Sequence, residues 1–286
     1  MWVLFAFGSA AFAGLTAVLA KVGVREVNSN LATALRTVVV LAFSWLMVAL
    51  TGAWVPLAAI DRRSMLFLAL SGLATGASWL CYFRALQIGR VNEVAAVDKS
   101  STVLTMLLSL IFLGEALTWA RAAAIALISV GTYLMLSKSA PDAQKARGRV
   151  WLVYALGSAA FASLTAILGK VGIQGVNSTL GTALRTVVVL IMAWGMVFVT
   201  GTQHGIGRIR PRTWLFLVLS GVATGASWLC YYRALQDGPA SAVAPIDKLS
   251  ILVTAGFSRL FLGEKLSPRA LCGLGLLTAG TLMTLL

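Results

Sequence analysis

Charge is what this sequence has least of. Of its 286 residues only 11% are charged, where a soluble domain carries about a quarter. A water-soluble surface cannot be built from so few. Acids are scarcer still, with Asp and Glu totalling 9 against 23 Lys and Arg, for a formal net charge of +14. In a soluble protein that balance would suggest nucleic acid. With 59% hydrophobic residues it points instead to basic loops and helix ends facing anionic lipid, and no nucleic-acid partner is expected. Histidine is nearly absent, since His204 stands alone, and a multi-histidine metal site is excluded. Cysteine is sparse as well. Cys81, Cys230 and Cys272 lie in apolar segments without metal-type spacing. They read as small buried hydrophobes, not as a disulfide framework. No nucleophile–base pair, metal cluster or nucleotide loop is visible, so neither catalytic residues nor a metal or cofactor is expected, and the chain is not expected to be an enzyme.

What is present is apolar sequence in lengths of about 20 residues, each long enough to cross a hydrocarbon core of roughly 30 Å. The first runs from Trp2 to about Val22. It lacks the basic region that opens a secretory signal, and a near copy recurs at Trp151 to Val171. It is therefore expected to be a transmembrane helix.

That copy belongs to a larger repeat. The stretch Ser71 to Tyr82 recurs at Ser220 to Tyr231 with one substitution, at an offset of 149. The same offset carries Gly8–Phe12 onto Gly157–Phe161, Leu35–Leu41 onto Leu184–Leu190 and Phe112–Glu115 onto Phe261–Glu264. Roughly half of the aligned positions are identical and no gap is needed. Each copy holds five apolar segments. In the first they are about 2–22, 30–51, 64–87, 93–113 and 119–137; in the second, about 151–171, 179–200, 213–236, 242–262 and 267–286. Turn residues separate them, and a polar linker joins the copies. The expected units are a five-helix repeat over 1–137, a linker over 138–149 and a second repeat over 150–286.

Five is an odd number. A repeat that crosses five times delivers the chain to the opposite side, so the second copy must insert upside down. The predicted fold is an all-α integral membrane protein of ten transmembrane helices, arranged as two inverted five-helix repeats. Inverted repeats of this kind place solute binding near the midplane between them. Loop charge sets the orientation. One face collects Arg25, Arg90, Lys138, Lys145, Arg147, Arg149, Arg208, Arg210, Arg212, Lys265 and Arg269, the other mainly Arg62, Arg63, Arg121 and Lys170. The linker face is expected to be cytoplasmic in a cell (inner) membrane, with both termini outside.

Polar residues recur at helical spacing. Ser71, Thr75, Ser78 and Tyr82 form one stripe in the third segment, with Gly72 and Gly76 as a small-xxx-small face for close helix contact. Asp98, Thr102, Thr105 and Ser109 form another in the fourth, best explained by a polar cavity. Hydrogen bonding of these hydroxyls to nearby carbonyls is the plainer explanation for any single one.

Ionisable groups within a span cost several kcal/mol and are functional candidates for that reason. In copy one they are Lys21, Arg36, Arg84, Asp98 and Lys99; in copy two, Lys170, Arg185, Arg233, Asp247 and Lys248. At 1.5 Å per residue Arg36 and Asp98 lie roughly 8–9 Å inside their helices. Two charged clusters follow, one near each mouth of a central cavity, placed to form gates or to receive a charged solute. The alternative is structural: snorkelling at the interface, above all for Lys21 and Lys170, and internal ion pairing of the aspartates. Excess positive charge favours an anionic or zwitterionic solute. Trp79 and Tyr82, with Trp228 and Tyr231, are candidates for aromatic walls, or for interface anchors. The copies differ at one telling place. Pro245 has Ala96 as its counterpart and is expected to break or kink its helix two residues before Asp247, while the fourth helix stays straight.

These residues resemble a known family. The stretches Asn30–Thr37, Gly76–Leu86, Ala244–Ser250 and Phe261–Leu266 are similar to the drug/metabolite transporter superfamily, specifically its EamA-domain proteins. Each copy resembles the five-span bacterial/archaeal transporter group over nearly its whole length. Copy one departs by lacking the proline before Asp98 and Lys99. The resemblance implies a ten-helix carrier descended from the fusion of a five-span unit that works as an antiparallel pair, so one chain is expected to suffice for function. Superfamily substrates range over amino acids, carboxylates, nucleotide sugars and cationic drugs. Related ten-span proteins are drawn with both termini cytoplasmic, the opposite of the loop-charge expectation. The expected function is secondary active transport, by export or exchange, of small polar solutes. A flippase of a lipid-linked substrate and an exporter of cationic drugs are the alternatives.

Overall fold

The computed structural model describes residues 1–23, 27–88, 94, 97–98, 100–135, 150–261 and 267–286, with the side chains of 21–23, 83, 86–87, 258–259 and 261 left aside. Among the described residues there are eleven α-helices and no strand: α1 (Trp2–Gly23), α2 (Ser29–Leu50), α3 (Arg62–Ile88), α4 (Ser101–Phe112), α5 (Trp119–Met135), α6 (Val150–Ile173), α7 (Ser178–Val199), α8 (Pro211–Asp237), α9 (Ala240–Lys248), α10 (Ser250–Phe261) and α11 (Pro268–Met283). Seven stretches are long and apolar enough to cross a membrane, and the chain is a multi-pass membrane protein.

Local sequence sets the helix ends. The Asn28 side chain accepts from the Asn30 N–H at 2.9 Å, and Asn177, its repeat counterpart, accepts from the Thr179 N–H at 2.9 Å, each capping its helix start. Gly52 and Gly201 follow the ends of α2 and α7 with φ of 62° and 66°, left-handed values that cost glycine little. Pro211 and Pro268 open α8 and α11, where a missing N–H leaves no helical bond unmade.

Helices of one copy pack on helices of the other. The principal pairs are α3 with α6, α1 with α8, α2 with α7 and α5 with α11. The pairs run antiparallel. Ser71 Oγ donates to the Thr165 carbonyl at 2.8 Å and Ser78 Oγ to the Ser158 carbonyl at 3.0 Å, so seven residues forward on α3 are seven back on α6. On α5 and α11, Gly131 faces Gly273 while Ala124 faces Gly280. This is the inverted-repeat geometry that an odd number of crossings requires. The expected small-residue face is also found: a β-carbon added at Gly72 would stand 2.7 Å from Val188 of α7, and one at Gly221 2.7 Å from Val39 of α2.

The broken helix departs from expectation. Pro245 lies inside α9, and the interruption falls at Leu249, after Asp247 and Lys248. The Leu249 N–H bonds the Ile246 carbonyl at 3.0 Å, a tightened turn. Copy one turns at the equivalent Ser100, whose N–H bonds the Val97 carbonyl at 3.0 Å. Because both copies tighten at the same position, the interruption does not depend on the proline.

Candidate functional site

Arg185 is the eighth residue of α7 and Arg36 the eighth of α2. In inverted helices that depth puts them on opposite sides of the midplane, each about 5 Å from it. Arg185 is 2% exposed. Its Nε donates to Ser71 Oγ at 3.0 Å and its Nη2 to Thr75 Oγ1, both on α3 of the other copy. Its guanidinium lies 5.0 Å from the Trp228 ring centre and 4.8 Å from that of Tyr232, within cation–π range. Nη1 is buried without a hydrogen-bond partner. Arg36 is held more loosely. Its Nη2 donates to Thr224 Oγ1 at 2.9 Å, and its buried Nε has no partner.

Each arginine lines a cavity. One of about 290 Å³ is walled by Arg185, Thr75, Ser78, Thr165, Tyr231, Tyr232, Asp247 and Lys248, among others. One of about 280 Å³ is walled by Arg36, Thr16, Thr33, Thr37 and Thr224. Ala13, Trp79, Ser227 and Trp228 border both. Asp247 accepts from Ser9 Oγ at 2.6 Å, and Asp98, its counterpart, from Ser158 Oγ at 3.2 Å.

The chamber thus brings together Arg36, Trp79, Arg185, Trp228, Tyr231, Asp247 and Lys248. Other members of the two expected clusters are elsewhere. Lys170 donates to the carbonyls of Leu235, at 3.0 Å, and Gly238, capping the end of α8. Arg233 is exposed and pairs with Asp237 one turn on, at 3.2 Å. Tyr82 packs against the buried cluster of Ala85, Val94 and Ala155 and Arg84 is exposed; neither borders the two cavities. Asp98 sits behind Ser158 and does not border the Arg36 cavity. Lys99 and the side chain of Lys21 lie outside the described residues. Two compact, matching clusters at the mouths are therefore not what the described residues form.

The second expected stripe is corrected as well. Thr105 and Ser109 donate to carbonyls of their own helix, at Ser101 and Met106, both at 2.8 Å, which is the plainer explanation. Thr102 borders a pocket of about 10 Å³, together with Pro245 and Lys248. The cysteines are all free; Cys81 and Cys230 fill gaps against Gly157 and Gly8, while Cys272 is exposed. Tyr232 was absent from the sequence-derived set. Its counterpart is Phe83, and Gly169, against whose position its ring packs, has Ala20 as counterpart. This coupled difference between the copies was the available signal.

A membrane-spanning bundle with a polar chamber between inverted repeats defines a membrane transporter. The EamA-like transporter family matches residues 1–137 and again 149–286, and the chain belongs to that family. It is 52% identical over 133 residues to a protein of Sinorhizobium sp described as an uncharacterized transporter in the cobO 3' region; the match covers 46% of this chain and 94% of that one. That relative is therefore about as long as one copy here. A solved crystal structure, described only as that of a protein, is similar with a TM-score of 0.83 over 100% of this chain and 98% of the other, at 18% identity, a likeness of fold.

Proposed function

We propose that the chain is a secondary active transporter that exports or exchanges small anionic or zwitterionic metabolites by alternating access. The observation that carries this is Arg185: a guanidinium 2% exposed, in the middle of a membrane span, with one N–H unspent and no ion-pair partner among the described residues. Arginine stays protonated, and an unpaired buried donor costs roughly 1–3 kcal/mol. An anionic group of a bound solute would satisfy both needs. The size of the chamber supports a small solute. Its two parts, about 290 and 280 Å³, lie just below the roughly 300–1,000 Å³ of ligand pockets.

The proposed setting is the cell inner membrane, with residues 138–149 cytoplasmic and a single chain as the transport unit. The test is uptake into proteoliposomes of metabolites selected by thermal stabilisation, measured per folded molecule. Arg36→Gln and Arg185→Gln should each weaken an anionic solute at least tenfold. Asp98→Asn and Asp247→Asn should differ, since Asp247 borders the chamber and Asp98 does not. A solute that tolerates both arginine changes and depends on Asp247 would establish cation transport instead.

A further inference from the structure

The two cavities correspond in part under the internal repeat. Thr75, Thr165 and Arg185 in one correspond to Thr224, Thr16 and Arg36 in the other. Trp79 and Trp228 correspond to each other and border both, so they stand where the pseudo-two-fold axis passes. We infer that the chamber holds two separate anion stations, one at Arg185 and one at Arg36, divided by a Trp79–Trp228 partition, each taking one carboxylate-sized anionic group. This rests on the transporter reading for its purpose but not for its binding chemistry.

The donors decide the occupant. Arg185 spends Nε on Ser71 and Nη2 on Thr75 and lies against the rings of Trp228 and Tyr232, which leaves Nη1. Arg36 spends Nη2 on Thr224 and keeps Nε unpartnered. Neither is ion-paired among the described residues. A charged group with an idle donor in low dielectric is strongly disfavoured unless a counter-charge arrives, and an anion bound through a charge-assisted hydrogen bond supplies it.

The stations are unequal. Asp247 and Lys248 border the Arg185 cavity, so a carboxylate of the protein competes with the ligand there. The counterpart Asp98 does not border the Arg36 cavity. Its wall has Thr33 and Thr37 instead, whose counterparts Thr182 and Thr186 are wholly buried, at 0% exposure. Arg36 is the one charged side chain among the described residues of that wall. The Arg36 station therefore suits a plain anionic group, and the Arg185 station, with both charges of Asp247 and Lys248 on its wall, suits a solute that also carries a cation.

Tryptophan is a built-in reporter, because Trp228 lies 5.0 Å from the Arg185 guanidinium and both tryptophans border both stations. The experiment is quenching of intrinsic fluorescence by iodide, in detergent, with neutral acrylamide as comparator and acetate as competitor. Two saturable iodide components are expected, both displaced by acetate. Arg36→Gln should remove one component and Arg185→Gln the second, with acrylamide quenching unchanged. Exposed tryptophans such as Trp54 and Trp119 contribute only the linear background. Quenching that is linear throughout, or one substitution that removes both components, would overturn the two stations. Where Arg185→Gln fails to fold, Arg185→Lys serves: it keeps the charge without the planar fork, and should weaken only the second component, by about tenfold. No transport step enters this assay. Both components in a chain that moves no anion would uphold the stations while defeating the transport reading.

Discussion

Glu115 and Lys170 both act on the main chain where α8 ends and α9 begins. Glu115, in the turn after α4, accepts from the N–H groups of Ala240 and Ser241 at 2.7 and 3.1 Å, and from Ser241 Oγ. It thereby caps α9 with a negative charge at the positive end of a helix. Glu115→Ala should lower stability by about 1–2 kcal/mol, read as a lower melting temperature in detergent, while Glu115→Gln should lose less. Arg233→Ala is the contrast. Its partner is one turn away on an exposed face, and the change should stay below about 0.5 kcal/mol. Sequence showed the depth of each charge but not its direction. Lys170 and Arg185 looked alike on paper, fifteen residues apart in one copy; one turns to a helix end and the other to the chamber, which depends on helices elsewhere in the chain.

At the scale of elements, the glycines separate contact from composition. A β-carbon at Gly76 would lie 2.6 Å from Met192 of α7, whereas one at Gly195 meets nothing within 4 Å. Gly76→Leu should sharply lower the yield of folded protein in a fluorescence size-exclusion assay, since overpacking costs about 1–3 kcal/mol or more and the Met192 β-carbon stands in the way. Gly195→Ala should leave the yield unchanged or improve it, as glycine within a helix costs about 1 kcal/mol against alanine. Segment boundaries were legible from apolar runs and turn residues. The interruption at Leu249 and Ser100 was not. Proline drew attention to the wrong place, because a helix tightens by an i→i−3 bond without any residue that advertises it.

For the whole molecule, the inversion was legible because it follows from counting: repeats of five cannot both face the same way. What counting leaves open is which repeat surface meets which, and that required the antiparallel pairs α3–α6 and α1–α8. The sidedness remains a prediction. A reporter fused after Leu286 should function only outside the cytoplasm, and one inserted within 138–149 only inside; the reverse result would invert the orientation and leave the fold intact. Because each pair joins one copy to the other, a single chain already completes the antiparallel arrangement. Monomers reconstituted at one per vesicle should transport at the same rate per chain as denser preparations. Activity confined to dimers would contradict this.

The ties at the α8–α9 corner have a bearing on how the sequence is free to drift. Lys170 holds two carbonyls and Glu115 two amides, main-chain groups that every residue but proline supplies. Substitutions at Leu235 or Ala240, other than proline, that keep the backbone path therefore leave these bonds in place, and the codons of Lys170 and Glu115 carry most of the mutational exposure.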